Sequence, residues 1–587
     1  MFRTTLLVAG CLALCSAAPA LNAHEANDEH DSRDHSAAVR QTRFGAVVGV
    51  DDSRRNGTYA WKGVPFAKPP VGALRWRAPV DPDPWRVPKL TRQFGNACVQ
   101  YGRIYGPGAN NRYDETIAST LNQAVGQEDC LYLNIWRPAT HQDGLPVIVF
   151  VHGGSDVSGY TADPVYDGAA LARAANAVVV TVNYRLGIFG FLNMPQLKGG
   201  TDAVEDSGNY ALLDIIKALR FIHRNIESFG GDPSNVTLTG QSAGAINVYA
   251  MLTSPLMVAA KPRLFHRAAA FSGGISLAGD LPAGSLPTLN PAAVYLAQGN
   301  ALLANLVIAD GLATDAASAQ TYIASQGATQ IAAYLRSKSP SVLLLTLLSK
   351  LAALGLAGSG PIPDGAVLPV DPIAAIGAGN YVKVPFLASN TRDEAKLFPT
   401  FLALSPALGG VSGRLVSDAT LFLTQFNYDP NAAPTITIGQ WIPGVYLPVN
   451  TPLTGFNART DLLNRIFFIA SRDNVLGALR AQQADVWYYR FDWDREPAPW
   501  NDIYGAAHAF DLAFLFGNFG PSLFSNIANS DANERGRLDL SHAMMKSLGA
   551  FARHGDPNTR ALGVFWPAWP ATLVFDASDI RAEISTQ

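Results

Sequence analysis

A chain of 587 residues with 48% hydrophobic and only 16% charged side chains can bury a large core, which excludes a disordered or fibrous protein. Its formal net charge of −3 argues against nucleic acid or an anionic membrane surface as partner. There is no internal repeat, heptad pattern or long charge run, and 52 glycines and 38 prolines are spread along the chain as in a loop-rich enzyme.

At the N-terminus, Met1-Phe2-Arg3 and the stretch TTLLVAGCLALCSAAPALNA combine one positive charge, an apolar run and small residues at Ala18, Ala20 and Ala23. This predicts a secretory signal peptide over residues 1–23 and a secreted or periplasmic protein without stable membrane insertion. Val8-Ala9-Gly10-Cys11 looks superficially like a lipoprotein box, but the apolar region ahead of it is too short, so lipid anchoring at Cys11 ranks well below cleavage. Residues 24–40, polar and carrying three histidines in HEANDEHDSRDHSAA, predict a solvated leader rather than a metal-binding tail. Removing the signal peptide takes Cys11 and Cys15 with it. Cys98 and Cys130 remain, and in an exported chain they predict one disulfide.

Residues 41–587 read as one domain. Residues 44–85 alternate strand patterns, AVVGV and TYAWKGV, with proline-rich turns that keep the segment at a sheet edge. EDCLYLNIWRP at 128–138 and LPVIVFVHGG at 145–154 predict two strands, the second apolar enough to be buried on both faces. A helix over 169–175, a buried strand at 177–185 and an amphipathic helix over 209–229 follow. Further strands are expected at VTLT (236–239), RAAAFSGG (267–274), VKVPFLASN (382–390) and VWYYRFDW (486–493). The last helix, LDLSHAMMKSLGAFARHG, stops at a glycine with Pro557 just beyond. This alternation predicts an α/β fold with a central, mostly parallel twisted sheet flanked by helices. Insertions at about 280–360 and 400–470 predict a helical cap. Within the first, SVLLLTLLSKLAALGLAG (341–358) reads as a packed helix of that cap, or as an apolar mouth for greasy substrates.

The run TLTGQSAG places Gly240-Gln241-Ser242-Ala243-Gly244 between a buried strand and a helix-compatible segment. A strand-to-helix turn this tight needs glycines around a strained central residue, and it lifts the Ser242 hydroxyl clear of the sheet at a helix N-terminus. Such a serine needs a base, an acid to orient it and donors for an oxyanion. Of the histidines after Ser242, His266 precedes its strand, while His542 and His554 belong to the last helix. His508, in a loop after VWYYRFDW, is the remaining base. In the loop after VPFLASN either Asp393 or Glu394 can serve as acid. The turn His152-Gly153-Gly154-Ser155 after the apolar strand offers the N–H groups of Gly154 and Ser155, and Ala243 offers another.

FGGDPSNVTLTGQSAG (229–244) and EDCLYLNIW (128–136) resemble the two signatures of the type-B carboxylesterase family of α/β-hydrolases. KGVPFAKPPVGALRW, VTVNYRLGIFGFL, GNYALLD, PIPDG and FARHGDPN fall in that family's order, so the resemblance runs from about Phe44 to Pro570. It implies a cap inserted between nucleophile and acid, Glu394 as the acid, His508 as the base and Ser272 as a buried support for the triad. It also implies a Cys98–Cys130 disulfide, structural ion pairs Arg75–Glu128 and Arg185–Asp214, and no metal or organic cofactor. Three departures stand out. The family's G-G-G turn ends here in Ser155. Residues 99–129 contain no tryptophan for choline, and Gln241 replaces the cholinesterase glutamate beside the nucleophile. The last two remove attraction for a quaternary ammonium and place Gln241 in the substrate pocket. The expectation is therefore a serine hydrolase of neutral or apolar carboxylic esters acting through an acyl-enzyme. An amidase or lactonase with the same machinery, or a non-catalytic adhesion relative, are the alternatives.

Overall fold

The computed structural model describes residues 38–404, 408–522 and 525–587. The expected signal peptide, residues 24–37 of the leader, and Cys11 and Cys15 lie outside them. Residues 38–40, also assigned to the leader, belong to the fold. Val39–Thr42 pairs with Gly45–Val48, and the Trp61 indole N–H donates to the Ala38 carbonyl at 2.8 Å.

Eleven strands make the central sheet. In chain order they are β1 (Val50–Asp52), β2 (Thr58–Pro65), β3 (Tyr132–Pro138), β4 (Leu145–Val151), β5 (Val178–Val182) and β6 (Gly231–Gln241). Then come β7 (Arg267–Phe271), β8 (Phe386–Thr391), β9 (Val486–Phe491), β10 (Leu573–Ala577) and β11 (Ala582–Thr586). Across the sheet they lie in the order β11-β10-β9-β8-β7-β6-β4-β5-β3-β2-β1. Every pairing from β5 through β10 is parallel, and the antiparallel pairings are confined to the two edges.

Burial explains that layout. All residues of β4 and β5 are buried, as helices on both faces require. Along β4 the side chains alternate between two cores. Val147, Val149 and Val151 pack with Leu212, Ile216 and Val248 of helices α2 (Tyr210–Asn225) and α3 (Ala243–Thr253). Ile148 and Phe150 face Leu171 of α1 (Ala169–Ala175) and Met544 and Phe551 of Glu534–His554. The α-helix expected over 209–229 ends at Asn225, and a 3₁₀ turn, Ile226–Phe229, leads to Gly230 in the left-handed conformation at φ 78°.

The first insertion packs a third core. Leu302, Leu303 and Leu306 of Ala292–Ala309 meet Leu343, Leu344 and Leu347, together with Trp76 and Phe189. Among the described residues one helix, Ala292–Ala309, is long and apolar enough to cross a bilayer, and here one side of it is buried in this core. Cys98 and Cys130 form a disulfide across 32 residues, and closing a loop of that size stabilises the fold by about 4 kcal/mol in the chain-entropy account. Arg75 forks onto Glu128 at 2.5 and 2.6 Å, and Arg185 onto the fully buried Asp214 at 2.8 Å through both nitrogens. Removing one partner of such a buried pair typically costs about 3–5 kcal/mol.

Candidate active site

Ser242 stands between β6 and α3 at φ 59°, ψ −121°, a strained conformation for a residue with a side chain. The flanking glycines are required by contact. A Cβ on Gly240 would lie 2.3 Å from the Gly244 carbonyl oxygen, and one on Gly244 would lie 2.1 Å from that of Val151. Strand and helix therefore approach too closely for any other residue, and the turn pushes Ser242 out to a half-buried position above the sheet.

The loops after β8 and β9 converge beside it. His508 Nδ1 lies 2.5 Å from Glu394 Oε2, with the two side chains 3% and 0% exposed. The other Glu394 oxygen, Oε1, accepts from the Asn390 amide and the Thr391 N–H, both at 2.9 Å. Phe398 and Phe468 pack their rings 5.0 and 5.3 Å from the imidazole. Asp393, the other carboxylate of that loop, points elsewhere. It takes the Arg392 guanidinium at 2.8 Å and the Ala506 N–H at 3.1 Å, and so ties the two loops together. A further buried carboxyl, Asp511, receives the Tyr489 hydroxyl at 3.0 Å. Burial, with the Glu394 charge adding to it, pushes Asp511 up to about 7.

The remaining imidazole nitrogen is already engaged. Gln241, 2% exposed, sets its amide nitrogen 3.0 Å from His508 Nε2. No hydrogen bond joins the Ser242 hydroxyl to His508 among the described residues. Gln241 thus lines the cavity with its amide turned to the histidine.

Opposite Ser242, the turn after β4 carries Gly154, Ser155 and Asp156 at φ 105°, 56° and 55°. The N–H groups of Gly154, Ser155 and Ala243 make no hydrogen bond within the fold among the described residues. His152 braces the turn from behind: Nδ1 contacts the Gly153 carbonyl at 2.8 Å, the Tyr184 hydroxyl donates to the His152 carbonyl at 2.9 Å, and their rings stack 4.7 Å apart. Burial pushes His152 down to about 4, so it is neutral at ordinary pH. Burial likewise pushes Asp156 up to about 7 against the hydrogen bond from Asn247 at 2.9 Å.

Ser272 makes no hydrogen bond to Glu394 or His508 among the described residues. It is buried at φ 54°, but its hydroxyl has no hydrogen-bond partner among the described residues. The described partners of Glu394 are Asn390, Thr391 and His508 instead.

Two cavities meet at Ser242, sharing Ser155, Phe398 and Phe401. One, of about 180 Å³, is walled by Ile246, Phe398, Phe401, Phe467 and Phe468 and floored by Ser272 and Gly273. The other, of about 330 Å³, contains His508 and Gln241 and extends past Tyr105 to Arg103, Arg414 and Asp418. The Ala/Leu-rich run 341–358 lines neither, which corrects its reading as an apolar mouth; Leu343, Leu344, Leu347 and Leu351 are consumed by the third core. Only Ser359, Gly360 and Pro361, just after it, reach the smaller cavity.

A match to the carboxylesterase family model spans residues 36–578. The chain belongs to the carboxylesterase family. This chain is 30% identical to the para-nitrobenzyl esterase of Bacillus subtilis (strain 168) over 553 residues, which cover 92% of this chain and 95% of that one. It is 31% identical to carboxylesterase 1C of Rattus norvegicus, covering 91% and 88%. Among solved structures, carboxylesterase EST55 of Geobacillus stearothermophilus superposes with a TM-score of 0.67 at 28% identity, covering 94% of this chain and 98% of that one. The sheet and its flanking helices are thus those of a carboxylesterase with the α/β-hydrolase fold. Sequence reasoning missed Asn390, His152 as a brace, and the phenyl wall. Asn390 was the most accessible, four residues ahead of Glu394 near the end of β8.

Proposed function

We propose that this protein hydrolyses carboxylic esters, with Ser242 as nucleophile, His508 as base and Glu394 as the carboxylate that orients it. The observation that carries this reading is the 2.5 Å contact between His508 Nδ1 and Glu394 Oε2 beside a strained serine at the junction of two cavities. With its proton on Nδ1 facing Glu394, the ring presents a lone pair at Nε2. Substrate entry brings that lone pair to the Ser242 hydroxyl, a contact that tightens only when the complex forms. Ser242 Oγ attacks the ester carbonyl as Nε2 takes its proton, and the oxyanion is received by the N–H groups of Gly154, Ser155 and Ala243. Collapse returns the proton to the alcohol oxygen, the alcohol leaves, and water cleaves the acyl-serine by the same route.

The leaving oxygen takes its proton from His508, so the alcohol portion lies in the larger cavity, which His508 lines. The acyl chain then enters the phenyl-walled cavity, which supports apolar acyl groups. The Cys98–Cys130 disulfide and the leader-like residues 1–23 support export as the setting.

Nitrophenyl esters of increasing acyl length, each paired with its anilide, test the reading. Ester turnover that exceeds anilide turnover and falls roughly a million-fold in Ser242→Ala is expected. Anilide turnover equal to or above the ester's identifies an amidase, and ester turnover unchanged in Ser242→Ala overturns the mechanism.

A further inference from the structure

The larger cavity carries four charged side chains beyond its catalytic end: Arg103, Arg414, Asp163 and Asp418. Three of them find partners within the fold. Arg103 Nε lies 3.7 Å from Asp418 Oδ2, and Asp163 Oδ1 accepts from the Val165 N–H at 3.0 Å. Burial also pushes Asp163 up to about 6, which weakens it as a counter-charge. Arg414 is the exception. Among the described residues its guanidinium makes no hydrogen bond and no ion pair, and its Nη2 is buried without an acceptor. What holds it is aromatic: the guanidinium carbon sits 5.2 Å from the Tyr504 ring centroid and 5.9 Å from that of Trp441. Those rings fix the orientation of the guanidinium without neutralising it. A positioned, uncompensated arginine in the wall of a substrate cavity is half of a bidentate pair whose other half is a planar anion.

We propose that this carboxylesterase takes esters whose alcohol portion carries a carboxylate, and that Arg414 is the group that binds it. The proposal rests on the assignment of Ser242 and His508 above, because that assignment puts the alcohol portion in the cavity Arg414 lines. The acyl chain keeps its place among Phe398, Phe467 and Phe468. Water adds across the ester bond, so the products are the carboxylic acid from the acyl side and a hydroxy acid from the alcohol side. The substrate is then apolar at one end and anionic at the other, which keeps the apolar acyl group expected from the sequence but replaces the neutral alcohol portion with a charged one.

The test uses butanoate esters of ω-hydroxy carboxylates of increasing length, each paired with its carboxamide. The two members share the leaving alcohol's reactivity and size and differ only in charge. In the wild-type protein at low salt, kcat/KM for the best carboxylate should exceed that of its carboxamide by on the order of 10- to 100-fold, chiefly through KM. That ratio should shrink at high salt and fall to about one in Arg414→Gln, with Arg414→Lys between. Should Arg414→Gln not fold, the wild-type protein still decides. The free hydroxy acid should compete with a neutral nitrophenyl ester more tightly than its carboxamide does, and the advantage should vanish at high salt. A wild-type ratio of one, or a preference that survives Arg414→Gln, overturns the proposal. Failure to turn over any ester, the neutral nitrophenyl ester included, overturns the assignment of Ser242 instead.

Discussion

The side-chain amide of Gln241 occupies the ring nitrogen of His508 that faces away from Glu394, at 3.0 Å. An amide donor there is compatible with a neutral imidazole whose proton sits on Nδ1, and it holds the ring in that tautomer while the site is empty. A glutamate at the same position is an acceptor and demands a proton on Nε2. Gln241→Glu is therefore expected to raise the apparent pKa of the acidic limb of kcat/KM by about 1–3 pH units, whereas Gln241→Ala moves it far less. A pH–rate profile of the two variants checks this. Superimposable profiles would mean that the Gln241 amide does not act through His508.

Asp393 and Glu394 are neighbours with opposite assignments. Glu394→Gln removes the acceptor for His508 Nδ1 and favours the wrong tautomer, so kcat should fall roughly 10,000-fold with the fold intact. Asp393→Asn loosens the ties to Arg392 and Ala506 and should lower the melting temperature while reducing kcat by less than about tenfold. Steady-state kinetics and thermal melts on both variants distinguish them, and the reverse ranking of kcat would make Asp393 the acid.

The turn opposite Ser242 depends on Gly154. A Cβ there would sit 2.0 Å from the Ser158 carbonyl oxygen, at φ 105°. Gly154→Ala must rotate that peptide and take at least one N–H away from the oxyanion, so a loss of about 100- to 1,000-fold in kcat is expected. Ser155→Gly keeps the N–H and relieves a positive φ, and should stay close to wild type in the same assay.

Asp156 links this turn to pH. Its carboxyl titrates near 7 in the folded protein against an ordinary value of 3.8, so between those limits the folded state holds a proton that the unfolded state has released. Its stabilising contribution is complete below about pH 4 and is lost as pH rises through 7. Between about pH 5 and pH 8 the wild-type protein should lose about 3 kcal/mol more unfolding free energy than Asp156→Asn. Asp163, Asp511 and His152 titrate alike in both proteins and cancel in the comparison. Denaturant titrations at the two pH values measure it, and equal losses would contradict the shift.

The sheet was legible in the sequence because its central strands are continuous apolar runs, such as LPVIVFV and VVVTV, that only a doubly covered parallel sheet can bury. The turn at Ser242 was legible because Gly240 and Gly244 answer to close backbone contacts, which periodicity and motif both report. The walls of the substrate cavities were not. Phe398 and Phe467 meet across the site from segments about seventy residues apart in the chain, and no local pattern encodes that encounter. The Ala/Leu-rich run misled for a related reason, since composition says that a helix is apolar but not which neighbour covers it. Arg414 was silent as well: an isolated arginine in a loop declares a role only once three dimensions show that no acceptor among the described residues meets its Nη2.

The central claim is that Ser242 is the nucleophile, and active-site labelling tests it most directly. The wild-type protein is incubated with a fluorophosphonate, residual esterase activity is followed, and the modified residue is located by peptide mass mapping. The account predicts one phosphonyl adduct, on Ser242, formed in step with the loss of activity and absent from Ser242→Ala and, at comparable rates, from His508→Ala. Full inactivation with the adduct on another residue, or esterase activity that persists once Ser242 is fully modified, would contradict it.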